Sequence, residues 1–119
     1  MTVGNPSRGD IWVLALDPTV GSEIQKTRPV AVLSSPAFDA LSTRIVIPLT
    51  TWQDRFERQI NKLRIEPTAV NGLERTSAAD VLQIRCVDLA RFREYVGYLD
   101  ATIVDELAAG VAVAVDYLP

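Results

Sequence analysis

Arg28 stands directly before Pro29 in the stretch GSEIQKTRPVAVL (21–33), and Thr50 and Thr51 close the stretch RIVIPLTT (44–51). Proline removes a backbone donor and fixes the chain direction, so the guanidinium leaves the start of a strand in a defined orientation. A planar, permanently charged fork can hold two oxygens of a phosphate. It stabilises the dianionic phosphorane that forms when the phosphate is attacked, but it is a reluctant proton donor. Two threonine hydroxyls at a strand end add hydrogen bonds at the same centre. The same residues also read as a plain hairpin base and an ordinary strand end.

Other chemistries are excluded by what the chain lacks. It contains no histidine, so a Ser-His-Asp triad, an imidazole acid-base pair and a histidine-ligated zinc site are all ruled out. There is no G-x-x-x-x-G-K loop and no dinucleotide fingerprint, so no nucleotide cofactor is expected. The single cysteine, Cys86, lies between Arg85 and Val87 in an expected strand and reads as a small buried core residue rather than a nucleophile. One cysteine allows no internal disulfide, and no segment resembles a signal peptide, which points to the cytoplasm. The longest apolar stretch, near the C-terminus, is interrupted by Asp105, Glu106 and Asp116 and is not expected to cross a membrane.

The elements that must position these residues follow from the pattern. With 119 residues, 48% of them apolar, one domain spanning 1–119 is expected. GDIWVLALD reads as a strand that is apolar on both faces and ends at Asp17-Pro18. VAVLSS and RIVIPLT read as the second and third strands, with Pro48 arguing for an edge position or a bulge. Residues 52–64 are ambiguous: WQDRFERQ suits a loop or a helical turn, whereas QINKLRIE alternates like a half-exposed strand. Asn71-Gly72 signals a turn. ADVLQIRCVD reads as a strand, Arg91 to Glu94 as a short polar link and YVGYL as the last strand.

The terminal segment ATIVDELAAGVAVAVDYL spaces Ile103, Leu107, Val111, Ala114 and Leu118 as one face of a helix, with Asp100 or Thr102 as its cap. Gly110 inside that helix predicts a close packing contact. About six short, mostly antiparallel strands and a C-terminal helix make a small barrel-like β fold.

The formal charge is −3, which argues against generic nucleic-acid binding. Its distribution is uneven. From Ser22 to Arg64, seven cations (Lys26, Arg28, Arg44, Arg55, Arg58, Lys62, Arg64) stand against four carboxylates (Glu23, Asp39, Asp54, Glu57), a balance of +3, whereas from Leu99 onward the balance is −4. Such a chain can present a basic face to an anion, or merely carry a mixed solvated surface.

RGDIWVLALDP, GSEIQKTRPVAVLS, VIPLT and SAADVLQIRCVD occur in the order and at roughly the spacing of the MazF/PemK family of toxin endoribonucleases. The resemblance extends from Arg8 through the C-terminal helix. It implies an SH3-like barrel of the CcdB/PemK/MazF type, working as a homodimer. It also implies metal-independent cleavage of single-stranded RNA, in which the RNA's own 2′-hydroxyl attacks the adjacent phosphate to leave a 2′,3′-cyclic phosphate and a 5′-hydroxyl. No cofactor is expected, and a cognate MazE-like antitoxin is the expected protein partner.

On the family's motif the catalytic arginine falls on Arg28 and the catalytic threonine on Thr50, with Thr51 as the register alternative. Glu23 is a further candidate, for orienting Arg28 or assisting proton transfer, with a salt bridge as its plain alternative. In the Kid/PemK branch an arginine and an aspartate before the Q-x-R segment act in catalysis, but Asp80 and Leu82 stand at those positions here, so the MazF-branch scheme is the expected one. Lys26, Thr51, Trp52, Arg55, Arg58 and Arg85 are the candidate RNA contacts, Arg85 equally suiting structure or a dimer interface. Trp52 can stack a base, whereas Trp12 reads as core. The competing reading is a non-catalytic protein-binding module on the same fold, such as a CcdB-like gyrase poison.

Overall fold

The computed structural model describes residues 4–16 and 27–118. Seven strands and one helix follow in chain order: β1 (Asp10–Ala15), β2 (Thr27–Val32), β3 (Thr43–Thr51), β4 (Lys62–Ile65), β5 (Ser77–Asp80), β6 (Arg85–Asp88), β7 (Phe92–Tyr98) and α1 (Ala101–Ala114). Every pairing is antiparallel. The strand order is β4-β5-β3-β2-β1-β7, with β6 added against β3.

Both faces of the central strands are covered, as the apolar pattern of β1 requires. Ile11, Ala31, Ile47 and Leu49 pack under α1 with Val104 and Leu107. On the opposite face Leu14, Val30, Val32 and Val46 form a second core with Val87, against which Trp12 and Phe92 pack. Trp12 stands edge-on to Phe92 at 5.8 Å and to Tyr95 at 5.6 Å, and its Nε1 donates to Asp10 Oδ2 at 3.3 Å.

Pro48 does not mark an edge. β3 is the most connected strand, pairing β2 through Val46–Pro48 on one side, and β6 through Thr43–Val46 then β5 through Leu49–Thr51 on the other. The Ile45 carbonyl accepts from Leu33 on the β2 side, so the backbone of Pro48, three residues on, faces the other side. There it falls in the gap between β6 and β5, where no partner asks for its missing N–H.

Other expectations change with the packing. ADVLQIRCVD is two strands, β5 and β6, split by a 3₁₀ turn at Val81–Gln83 whose cap is the Asp80 carboxylate. Cys86 is exposed, because its register partner Ile45 lies on the outer face while Arg44 and Val87 take the inner one. Arg44, counted in the basic stretch, is buried. Its guanidinium donates to the carbonyls of Pro6, Leu41, Thr43 and Asp39, which takes it out of any basic face. In the ambiguous stretch both readings hold in part, a 3₁₀ turn at Asp54–Arg58 preceding β4.

Helix α1 is capped by Asp100, whose side chain accepts from the Ile103 N–H at 3.0 Å. The expected face holds at Ile103, Leu107 and Val111, which pack on the core together with Val104 and Ala108, whereas Ala114 is exposed and Leu118 lies beyond the helix and exposed. Gly110 does make the close contact, since a Cβ there would stand 3.1 Å from Val81 Cγ1.

The Asn71-Gly72 turn is docked backbone to backbone on β7. A Cβ on Gly97 would stand 2.4 Å from the Val70 carbonyl oxygen, and Tyr98 N–H donates to that same oxygen at 3.2 Å. Gly97→Ala is therefore expected to lower stability by about 2 kcal/mol or more, and Asp100→Ala by about 1 kcal/mol. Urea denaturation of the two variants checks both values, and equal effects would contradict the close-approach argument.

Candidate active site and nucleic-acid cleft

The antiparallel register joins the chemistry-bearing residues. Val30 pairs with Pro48, where the β2–β3 ladder ends, and two residues beyond on each strand stand Arg28 and Thr50, which line the same two clefts. On the far side of β3, Thr50 pairs with Ala78 and Thr51 with Ser77. Thr50 is half-buried, whereas Arg28 and Thr51 are exposed. Among the described residues the Arg28 side chain has no hydrogen-bond or ion-pair partner, which leaves its fork available to an anion.

Two clefts meet at these three residues. One, of about 530 Å³, lies between Arg28, Thr50 and Thr51 and a wall that includes Glu74, Arg75, Glu94 and Tyr95. The other, of about 440 Å³, runs from the same three residues to Gln53, Arg55, Phe56, Gln59, Lys62 and Gln83. Arg28, Thr50 and Thr51 thus form a ridge shared by both clefts. Each volume lies within the range of about 300–1,000 Å³ typical of ligand sites.

The remaining candidates divide. Arg55 lines the second cleft, its Nε donating to Gln53 Oε1 at 2.8 Å and its guanidinium lying 5.2 Å from the Phe56 ring centre. Trp52 is half-buried beside the ridge, edge-on to Phe56 at 5.7 Å, with the Arg64 guanidinium 5.3 Å from its ring centre. Its Nε1 is buried without a hydrogen-bond partner among the described residues. Trp52, Arg58 and Arg85 line neither cleft. Glu23 and Lys26 lie outside the described residues.

The part played by several cleft residues was not legible in the sequence, which counted Lys62 only among the basic residues and Asp80 only as a departure from the Kid/PemK branch. Lys62 and Asp80 are register partners on β4 and β5. They form an ion pair of 2.7 Å with side-chain exposures of 15% and 8%, which makes it a buried pair. Asp80 also accepts from Asn61 Nδ2 at 2.9 Å and from the Leu82 N–H at 3.1 Å. Its oxygens are thus committed to holding the second cleft's wall. Arg75, Glu94 and Tyr95 were likewise not singled out by their sequence context. Burial, followed by the charge of Asp10, raises the Tyr95 hydroxyl above its ordinary value of 10.0, so it remains a hydrogen-bond donor at neutral pH.

The fold and site together define a class: a small antiparallel β protein with a helix packed on its sheet and an anion-receptive arginine beside two hydroxyls where two clefts meet. Residues 7–115 match the family described as "PemK-like, MazF-like toxin of type II toxin-antitoxin system", and the chain belongs to that family. It is 34% identical over 107 residues to the endoribonuclease EndoA of Bacillus subtilis, covering 84% of this chain and 85% of that one. The fold is that of MazF from Deinococcus radiodurans, with a TM-score of 0.79 at 19% identity over 96% of this chain and 99% of that one. A mycobacterial endoribonuclease solved in complex with its cognate antitoxin superposes with a TM-score of 0.74 at 17% identity, covering 96% and 97% of the two chains. Among the described residues no helix is long and apolar enough to cross a membrane.

Lys62→Met should destabilise the protein by about 3 kcal/mol, because it leaves the Asp80 charge buried without its cation. Urea denaturation checks this, and an unchanged midpoint would show that the pair is not a buried one. A smaller acid-range effect is expected at Glu66. Hydrogen bonds from Arg64, then Thr76, hold its carboxyl below its ordinary value of 4.5. Its contribution to stability is complete above that pH and is lost as pH falls through the lower folded value. Glu66→Gln should therefore flatten stability against pH below about 4.5 and leave its slope at neutral pH unchanged, as read from thermal melts across that range.

Proposed function

We propose that this chain is a toxin endoribonuclease that cleaves single-stranded RNA through attack of the substrate's own 2′-hydroxyl, without a metal. The observation that carries the reading is the Arg28 guanidinium, without a hydrogen-bond or ion-pair partner among the described residues, beside Thr50 and Thr51 on the ridge shared by both clefts. RNA laid along the clefts would bring its scissile phosphate to that ridge. The O2′–P bond forms and the P–O5′ bond breaks, leaving a 2′,3′-cyclic phosphate. The proton lost from the 2′-hydroxyl leaves through a base, and the departing O5′ takes up one proton.

Arg28 neutralises the charge of the phosphorane and Thr50 donates a hydrogen bond to a non-bridging oxygen, with Thr51 beside it on the same strand end. In this reading the nucleophile belongs to the substrate, so a chain without histidine suffices for the attack. Glu23 is the proposed group for orienting Arg28 or accepting the proton. Arg55 contacts the RNA along the second cleft, and further RNA contacts are assigned to Trp52, Arg58 and Arg85, which line neither cleft, and to Lys26. We further assign to the family's arrangement a homodimer and an antitoxin whose acidic segment occupies the same clefts, a fit that the exposed cations Arg28, Arg55 and Arg75 favour through charge complementarity.

Arg28→Ala should lower kcat by a factor of about 10²–10³, the scale of losing one preorganised donor at a developing charge, while RNA affinity falls much less. The measurement is cleavage of a long unstructured RNA in excess EDTA, wild type beside variant. A variant that cuts at the wild-type rate would reject the assignment.

A further inference from the structure

The first cleft has a second guanidinium that the proposed reaction does not use. Arg75 leads into β5, on the side of β3 opposite Arg28. The β3–β5 ladder runs Thr50 to Ala78 and Thr51 to Ser77, and it is prolonged by the Trp52 N–H donating to the Thr76 carbonyl at 2.9 Å. Arg75 is the next residue. The two arginines therefore approach the threonine strand from opposite neighbours, two strand spacings or roughly 10 Å apart across the sheet, with Arg75 also about three residues further along β3. Like Arg28, Arg75 is exposed, and its side chain has no hydrogen-bond or ion-pair partner among the described residues.

The segment carrying Arg75 is held in place. Asn71, 4% exposed, accepts on Oδ1 from the N–H groups of Thr68 and Leu73 and donates through Nδ2 to the Glu66 carbonyl. Gly72, with φ of +69°, sits where any Cβ would fall 2.3 Å from the Val96 carbonyl oxygen. The turn before Arg75 is thus locked to β7, the strand that supplies Glu94 and Tyr95 to the same cleft. Tyr95 is itself braced edge-on by Trp12. A braced aromatic and a free guanidinium facing one space are the two surfaces on which proteins hold unstacked nucleotides.

We propose that Arg75 is a phosphate-positioning residue of the RNA site, taking the phosphate next to the scissile one, with the intervening base backed by Tyr95. The inference rests on the ribonuclease reading of the same ridge. Glu94 lines the cleft from the β7 wall and repels a phosphate there, which leaves the phosphate to the Arg75 end of the cleft.

The experiment uses full-length protein and a short single-stranded RNA carrying the wild-type cleavage sequence. Binding is measured against salt in a Thr50→Ala background, with Arg75, Arg75→Ala or Arg75→Lys. Each phosphate contact to a single strand adds about 0.7 to the slope of log affinity against log salt. Arg75→Ala should lose about that much while Arg75→Lys keeps it. In the cleaving protein Arg75→Ala should raise KM about tenfold with kcat within about twofold. An unchanged salt slope overturns the proposal. So does a fall in kcat at constant KM, which would put Arg75 on the reacting phosphate, or a loss of dimer by sedimentation, which would make it an interface residue. A wild-type protein that binds with the Arg75-dependent slope but never cuts would sink the ribonuclease reading alone.

Discussion

The site depends on one strand being held from both sides. β3 carries Thr50 and Thr51 at its end, and it is the strand with partners along both edges, β2 on one and β6 then β5 on the other. Pro48 is accommodated because its backbone faces the short gap where one edge changes partner. From that point the strand leaves β6 and continues against β5. Arg28 enters from β2, so it and the threonines are presented by neighbouring strands, while Arg75 comes from the turn that leads into β5. Groups on such elements keep their geometry better than groups on loops, and catalysis by charge stabilisation rewards that fixity.

The remaining architecture supports this strand. α1 covers one face through Val104 and Leu107, while the Trp12–Phe92 cluster covers the other. The buried Arg44 ties three carbonyls of the preceding segments, those of Pro6, Asp39 and Leu41, to β3 and also bonds that of Thr43. Breaking that network would leave those carbonyls without donors, at a cost that a domain of marginal stability feels. The acidic total charge is compatible with anion binding because it is spatially sorted. The α1 segment carries carboxylates only, while Arg28, Arg55 and Arg75 open onto the clefts.

Local signals in the sequence were strong where chemistry and backbone coincide. Arg28-Pro29, the terminal threonines of β3, the Asn71-Gly72 turn, the Asp100 cap and the contact at Gly110 were all legible. What could not be read depends on pairing between distant segments. Lys62 meets Asp80 across β4 and β5, and Arg75 reaches the cleft because the turn before it docks on β7. Cys86 failed for a related reason: a period of two says that one face is buried but not which one. Pro48 was misread because a proline inside a strand ordinarily means an edge, and a partner change along one side is invisible in a single chain.

The proposed reaction takes its nucleophile from the RNA. The direct measurement is cleavage, in excess EDTA, of two short RNAs that differ only in a 2′-deoxy sugar at the scissile position. The all-ribose strand should be cut to a 2′,3′-cyclic phosphate and a 5′-hydroxyl, and the deoxy-substituted strand should bind but stay intact. Cleavage of the deoxy-substituted strand, or cleavage of the all-ribose strand only when a divalent metal is restored, would contradict the proposed reaction.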